Sequence, residues 1–467
     1  MQKPIFIGGT GSHAGKSWMT TAICRWLKRR GVHVAPFKAQ NMSLNSYPCR
    51  EGGEIGRAQV VQAEACGLEP SSDMNPILLK PNCDTASQVI LNGKVWRNLP
   101  AREYYQHFPF LLEQVLAAFE RLQSQYEVVV MEGAGSISEI NFRSVDLVNL
   151  GLARRVGANA LLVADIDRGG VFASITGSFC LLEPAERQMV RAFAINRFRG
   201  DLSLFAEGAG ILQNKTGAKC LGVFPHLKDV RIDEEDSVSL EEWPSPTGYG
   251  AGTAILKFPH TSNLTDFQLL PGAHLVERPL ARQFTTVILP GSKNTLSDLA
   301  WMRRRGLDGW VLRQHAQGAR IIGICGGYQM MGERIEDPHA LESDEGSAEG
   351  LGLLPLHTIL AREKTTRVVD ARTLSGIGFR AYEIHLGLTI GRNGLPPFAL
   401  INGEPEGIEH GRCVGTYLHG ALENPRVLGE LLGQPAPQPP DKEAAYEQLA
   451  DWFDQHADIR LFEQLYL

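Results

Sequence analysis

The sequence predicts an α/β protein of two domains, each built on a mostly parallel sheet. Three observations lead there. Short apolar runs rich in Val, Ile and Leu alternate with helical patterns in both halves of the chain, the signature of parallel strands covered by helices. The 467 residues exceed one typical domain of roughly 100–200 residues. Between the halves, the pattern dissolves into Ser, Glu, Pro and Gly around Ser237–Thr253, which marks a boundary.

In chain order, Pro4–Ile7 reads as a buried strand, Ser17–Arg30 as a helix and Val32–Phe37 as a strand. Further strands are expected at Glu127–Met131, Ala160–Ala164, Arg191–Ile195 and Leu221–Phe224. Their shortness and β-branched content favour strand over buried helix. The second half repeats the pattern with strands at Ala254–Phe258, Thr286–Leu289 and Arg320–Ile324. Gly433–Pro440 is a proline-rich linker, and Lys442–Leu467 reads as amphipathic helix expected to pack on the second domain. The domains are thus placed at 1–240 and 250–430, with a helical appendage at 440–467. No internal repeat appears.

Composition excludes several function classes. Hydrophobic residues are 43% and charged residues 21% of the chain, and the formal net charge is −6. That leaves no basic footprint for nucleic acid and no reason to expect an anionic membrane partner. No apolar run reaches the roughly 18 residues of a membrane span, and Met1-Gln2-Lys3-Pro4 leads straight into a strand without a signal-peptide pattern. The eight cysteines form no Cys-x-x-Cys pair, which argues against a zinc or dithiol site. Scattered thiols fit a cytoplasmic location.

Between the first strand and helix lies Gly9-Thr-Gly11-Ser-His-Ala-Gly15-Lys16-Ser17. Glycines let backbone N–H groups surround phosphate oxygens, and the helix N-terminus adds partial positive charge. Lys16 would reach the outer phosphates and Ser17 a Mg²⁺ ion. The spacing has five residues between Gly9 and Gly15, with Thr10 where the strict pattern has Gly. Val128-Val-Val-Met-Glu132-Gly-Ala-Gly135 is an apolar strand ending in an acid. In P-loop sheets such an acid reaches Mg²⁺ or its water. Leu162-Val-Ala-Asp165-Ile-Asp167-Arg168-Gly-Gly admits two readings, metal or phosphate binding and a structural Asp–Arg pair.

In the second half, Ile321-Ile-Gly323-Ile-Cys325-Gly-Gly327-Tyr-Gln329 carries an apolar strand into a cysteine flanked by glycines, then a helix. This is the geometry of a nucleophile elbow with sulfur in place of oxygen. A cysteine nucleophile needs a base. Among thirteen histidines, His419 ends the run Gly415-Thr-Tyr-Leu-His419, and His385 in Tyr382-Glu-Ile-His385 is its rival. Leu289-Pro-Gly291-Ser-Lys293-Asn294 ends another strand and could supply an oxyanion N–H.

These residues resemble a family. Gly323-x-Cys325-x-Gly327-x-Gln329 with a downstream His is similar to the class I glutamine amidotransferases, of flavodoxin-like fold, and the first half resembles the dethiobiotin-synthetase group of P-loop proteins. Joined in this order, they resemble the cobyrinate- and cobyrate-amidating enzymes of cobalamin synthesis. The segments Lys38-Ala-Gln40-Asn41-Met-Ser43-Leu-Asn45-Ser, Gly53-Glu54-Ile-Gly-Arg57-Ala-Gln59, Asn75-Pro-Ile-Leu-Leu-Lys80 and Asp165-Ile-Asp-Arg-Gly-Gly resemble the cobyrate-forming branch.

The resemblance implies that Cys325 attacks the amide of glutamine with His419 as base and acid, while Gly291, Gly327 and Gln329 hold the oxyanion and substrate. It implies ATP at Gly11, Gly15, Lys16, Ser17 and Asn196, Mg²⁺ at Ser17 and Glu132, and a corrinoid near Lys38, Gln40, Asn41, Asp165 and Asp167. The reaction implied is ATP-dependent amidation of the b, d, e and g carboxylates of adenosylcobyrinic acid a,c-diamide. Alternatives are the same chemistry on another carboxylate, at cobyrinate a and c or in the cell wall, or a P-loop switch with a degenerate amidotransferase domain. One departure bears on mechanism. The acid usual two residues after the histidine is replaced by Ala421, which leaves Glu423 and Glu383 as candidates for the third member. The sequence says nothing of oligomeric state.

Overall fold

The computed structural model describes residues 2–83, 85–227, 230, 232–233, 248–342, 346–392 and 394–467. The expected boundary falls largely on 237–247, outside the described residues.

The first core is a six-stranded parallel sheet. Its order is Lys219–Pro225, Val190–Phe198, Asn159–Asp165, Ile5–Gly9, Val128–Glu132, Val34–Phe37. All its strands are the ones expected, within a few residues at their ends. Val128-Val-Val-Met and Leu161-Leu-Val-Ala are buried throughout, as a sheet covered on both faces requires. The strand Ile5–Gly9 lies centrally, so the phosphate loop and Glu132 emerge together at the C-terminal edge, where open α/β sheets bind ligands.

Alternation did not anticipate a second, smaller layer. Gln40–Met42, Ile77–Cys83, Ala86–Leu91 and Lys94–Pro100 form a four-stranded sheet, and Ser46–Pro48 pairs with Glu54–Gly56.

The second core orders His274–Val276, Thr253–Leu256, Thr286–Leu289, Arg320–Ile324, Cys413–Thr416 and Ile408–His410. Only the last strand is antiparallel to its neighbour. The register pairs Leu289 with Gly323 and Ile324 with Thr416, so Gly291, Cys325 and His419 all follow the same sheet edge. Beside it stands a long hairpin, Leu356–Thr373 against Gly378–Gly391. The hairpin meets the first domain where Lys364 and Lys80 both bond buried Glu54.

The tail corrects an expectation. Lys442–His456 and Ile459–Tyr466 are helices, but they pack on the first domain, not the second. Trp26 meets Phe453 and Phe462 edge-on, each at 5.5 Å, and Tyr466 Oη donates to Ala160 O at 3.0 Å. The reason is complementarity. Helix Lys16–Arg29 presents an apolar stripe that would otherwise be bare, and Arg25, Arg29 and Arg30 face the acidic Glu443, Glu447, Asp451 and Glu463. The proline-rich run carries the chain back across. No helix among the described residues is long and apolar enough to cross a membrane.

Candidate active site

The phosphate loop leaves the central strand and enters helix Lys16–Arg29 through Gly15, whose φ is +93°. That left-handed conformation favours glycine, and a Cβ there would lie 1.9 Å from Asn196 Nδ2. Lys16 Nζ spans the loop, donating to Gly11 O and Gly135 O, both at 3.0 Å. Ser17 Oγ donates to Glu132 Oε1 at 2.8 Å. Glu132 is buried and also accepts from Lys38 Nζ at 3.0 Å and from Gln62. Burial pushes its pKa up, but the ammonium groups of Lys38 and Lys16 outweigh burial and hold it below the usual carboxylate range.

A carboxylate and a hydroxyl at a phosphate loop are the hard oxygen donors Mg²⁺ takes, with nucleotide phosphates and water filling its shell. The residues present therefore fit such an ion. No cluster of three or more metal-binding His, Cys, Asp or Glu side chains exists among the described residues.

A cavity of about 1030 Å³ opens over this loop. Lys38, Gln40 and Asn41 line it from the first domain, and Phe258, Trp301 and Arg305 from the second. Asn196 is not in its wall. Its Nδ2 donates to Ala14 O at 3.0 Å, which braces the loop. Asp165 and Asp167 are also away from the lining. Asp165 pairs with Arg197 at 3.3 Å and Asp167 with Arg199 at 2.7 Å. This is the structural-pair arrangement, made by Arg197 of the next strand and Arg199 just beyond its end, and not by Arg168.

In the second domain, strand Arg320–Ile324 delivers Cys325 at φ 52°, ψ −109°. Such a conformation in a non-glycine residue stores strain and is the one a nucleophile elbow requires, although Cys325 itself is buried. The flanking glycines are steric necessities. A Cβ on Gly327 would lie 2.0 Å from Leu289 O, and one on Gly323 2.5 Å from Met331 Sδ. Gly327 thus permits helix–strand approach, while Gly326 supplies the amide immediately after the nucleophile. Gly291 packs on the His419 ring, with space for a Cβ only 2.9 Å from Cε1. Gln329 is pinned, accepting from Thr295 Oγ1 at 3.0 Å and donating to Tyr417 Oη at 3.2 Å.

His419 is fully buried. Its Nδ1 lies 2.7 Å from Asp266 Oδ2, and Asp266 Oδ1 accepts from Gly420 N at 2.6 Å. Among the described residues its Nε2 has no hydrogen-bond partner. Burial alone would push the imidazole's pKa down. The Asp266 carboxylate, helped by the Cys325 thiol, outweighs burial and lifts it to about 10. Asp266 is therefore the third member of the arrangement, and neither acid considered from the sequence holds the ring. Glu383 bonds Arg367 and faces His385 at 3.5 Å, while Glu423 accepts from Gln268 at 3.2 Å. Asp266 and His419 are separated by 153 positions, and no local pattern links them. The rival His385 stacks on Tyr417 at 3.7 Å and bonds Gly387 O at 2.9 Å.

Cys325, Gln329 and His385 line a small space of about 40 Å³ together with Leu44, Lys80 and Gln88 of the first domain. Leu44 also lines the large cavity, so the two spaces share this residue in their walls.

Comparison with known proteins agrees with this division. Residues 5–240 match the model of the CobQ/CobB/MinD/ParA nucleotide binding domain. Residues 253–427 match that of the CobB/CobQ-like glutamine amidotransferase domain. The cobyric acid synthase of Bacteroides fragilis is 46% identical over 99% of this chain and 98% of its own. That of Parabacteroides distasonis is 45% identical over 98% and 97%, and that of Syntrophobacter fumaroxidans 41% over 99% and 98%.

Proposed function

The chain belongs to the cobyric acid synthase family, and on that premise we propose that it amidates the b, d, e and g carboxylates of adenosylcobyrinic acid a,c-diamide, using ATP and glutamine. It is a glutamine-hydrolysing ligase of cobalamin biosynthesis. The observation that carries the mechanism is the buried His419–Asp266 pair, whose imidazole interacts with the Cys325 thiol, while Cys325 itself lines a small space walled by both domains.

Cys325 gives its proton to His419 Nε2, and its Sγ attacks the side-chain carbonyl carbon of glutamine. His419 Nε2 delivers a proton to the departing nitrogen, the C–N bond breaks, and a thioester remains. The backbone amides at Gly291 and Gly326 would hold the oxyanion. Water, deprotonated by His419, then cleaves the thioester to glutamate and the free thiol. Asp266 fixes the ring tautomer so that Nε2 faces the sulfur, the role an aspartate plays in hydrolase triads. An elbow this complete disfavours a degenerate domain.

In the large cavity, a corrinoid carboxylate oxygen attacks the terminal phosphorus of ATP, giving ADP and an acyl phosphate. Ammonia adds to that carbonyl and phosphate leaves. The activation is needed because oxide is a very poor leaving group. Lys16 and the loop amides hold the phosphates, and Lys38, Gln40 and Asn41 face the carboxylate. Mg²⁺ held by Ser17 and Glu132 would offset charge on the phosphates. The Leu44 wall supports a short shielded route for ammonia, which in bulk water at neutral pH would become non-nucleophilic ammonium.

The test is mass spectrometry of the corrinoid after incubation with the protein, ATP, Mg²⁺ and glutamine. Stepwise loss of the OH-for-NH₂ mass difference, ending at the fourth step, is the expected result. Glutamine hydrolysis with no change in corrinoid mass would assign the amidation to another carboxylate. A second arm uses Cys325→Ser, which should lose glutamine-dependent but keep ammonium-dependent synthesis.

A further inference from the structure

The segment Lys38–Tyr47 connects the two sites. At its start, Lys38 pairs with Glu132 beside the phosphate loop. At its end, three consecutive residues reach the second domain. Asn45 Oδ1 accepts the backbone N–H groups of Asn263 at 2.8 Å and Leu264 at 3.4 Å. Ser46 N–H donates to Asn263 Oδ1 at 3.1 Å. The Tyr47 ring lies 4.7 Å from that of Tyr382, which in turn stacks on His419 at 5.2 Å.

What this clasp holds is the support of the catalytic base. Asn263 sits at φ 55°, a left-handed conformation that Asn adopts more readily than most residues. Its carbonyl accepts from Asp266 N at 3.2 Å, and it begins the single turn Leu264–Phe267 that carries Asp266. So short a turn has little stability of its own. Asn45, Ser46, Asn263, Asp266 and His419 are all buried, and a buried N–H that loses its acceptor pays its full desolvation cost.

We propose that Asn45 is a positioning residue for glutamine hydrolysis: through it the synthetase domain holds the Asn263–Asp266 turn, and thereby the His419 ring, in working geometry. This rests on the reading of Cys325 and His419 given above. Its consequence is economy of glutamine, because the base is correctly oriented only while the two domains are docked. The same strand-and-loop segment faces the nucleotide and corrinoid cavity, so a shift there is felt at the base.

The experiment measures glutamate release by the full chain with ATP and adenosylcobyrinic acid a,c-diamide present. Asn45→Ala is expected to lower kcat on the order of 10- to 100-fold, with KM for glutamine within about threefold, as misplacement of a catalytic group does. Asn45→Asp, whose carboxylate still accepts both N–H groups, should recover most of the loss. Unchanged kcat in Asn45→Ala, a change in KM alone, or equal impairment in both variants would overturn the proposal. If Asn45→Ala does not fold, Asn45→Leu carries the same test, since leucine branches at the same position as asparagine but offers the two N–H groups no acceptor; unchanged kcat there overturns it equally. Absence of glutamate release by the unaltered protein would instead remove the functional reading on which the proposal stands.

Discussion

His419 Nδ1 and Asp266 Oδ2 lie 2.7 Å apart with both residues sealed from solvent. That one contact sets the tautomer, the orientation and the charge of the imidazole facing Cys325. Replacing Asp266 with Asn keeps the shape and reverses the hydrogen-bond preference at Nδ1. Glutaminase kcat should fall by about 10²–10⁴, by analogy with the hydrolase aspartate. Synthesis from ammonium salt should persist. Steady-state glutamate release and ammonium-dependent amidation, measured on the same preparation, check both halves.

The same contact makes stability depend on pH. His419 is lifted to about 10 in the folded protein, against an ordinary value of about 6.5. A raised folded pKa means that the folded state binds the proton more tightly. The resulting stabilisation is fully present below about 6.5 and is lost as pH rises towards 10. The stability advantage of the unaltered protein over Asp266→Asn should therefore shrink between pH 7 and 10. Denaturant midpoints at several pH values would show it, and an advantage that grows with pH would contradict the charge assignment.

At the other site, Lys16→Ala removes the ammonium that bridges Gly11 and Gly135. Amide formation should be lost with either glutamine or ammonium as nitrogen source, while Cys325-dependent glutamine hydrolysis remains detectable. Substantial amide product from this variant would mean that phosphates bind elsewhere.

The tail offers a test of packing. Phe453 is fully buried between Trp26, Phe224 and Phe462. Phe453→Ala should destabilise the first domain by about 3–5 kcal/mol, the usual cost of deleting a buried aromatic ring. The amidotransferase domain should be unaffected in its own unfolding. A lowered first transition with an unchanged second one, in calorimetry of the Phe453→Ala and unaltered proteins, would be the signature.

Much of this was legible from residues in order along the chain. The alternation of apolar runs, the phosphate loop, the strand ending at Glu132 and the glycine-flanked Cys325 are contiguous patterns, because strand, turn and helix each depend on neighbours a few residues away. The long hairpin and the small four-stranded sheet were missed, since their strands carry polar residues and pair at an edge of each domain.

By itself the sequence determined the two α/β halves, and it marked the candidate phosphate loop, the candidate nucleophile Cys325 and His419 as its leading base. Only the tertiary structure decided that Asp266 holds that base, that Asp165 and Asp167 are taken up by Arg197 and Arg199, that the tail covers Trp26, and that Asn45 clasps Asn263 across the domains. The physical reason is the same in each case. Asn45 and Asn263 are 218 positions apart and Asp266 and His419 are 153 apart. Such pairs leave no periodic trace, because what brings them together is the packing of whole sheets and the burial of polar groups that must then find partners.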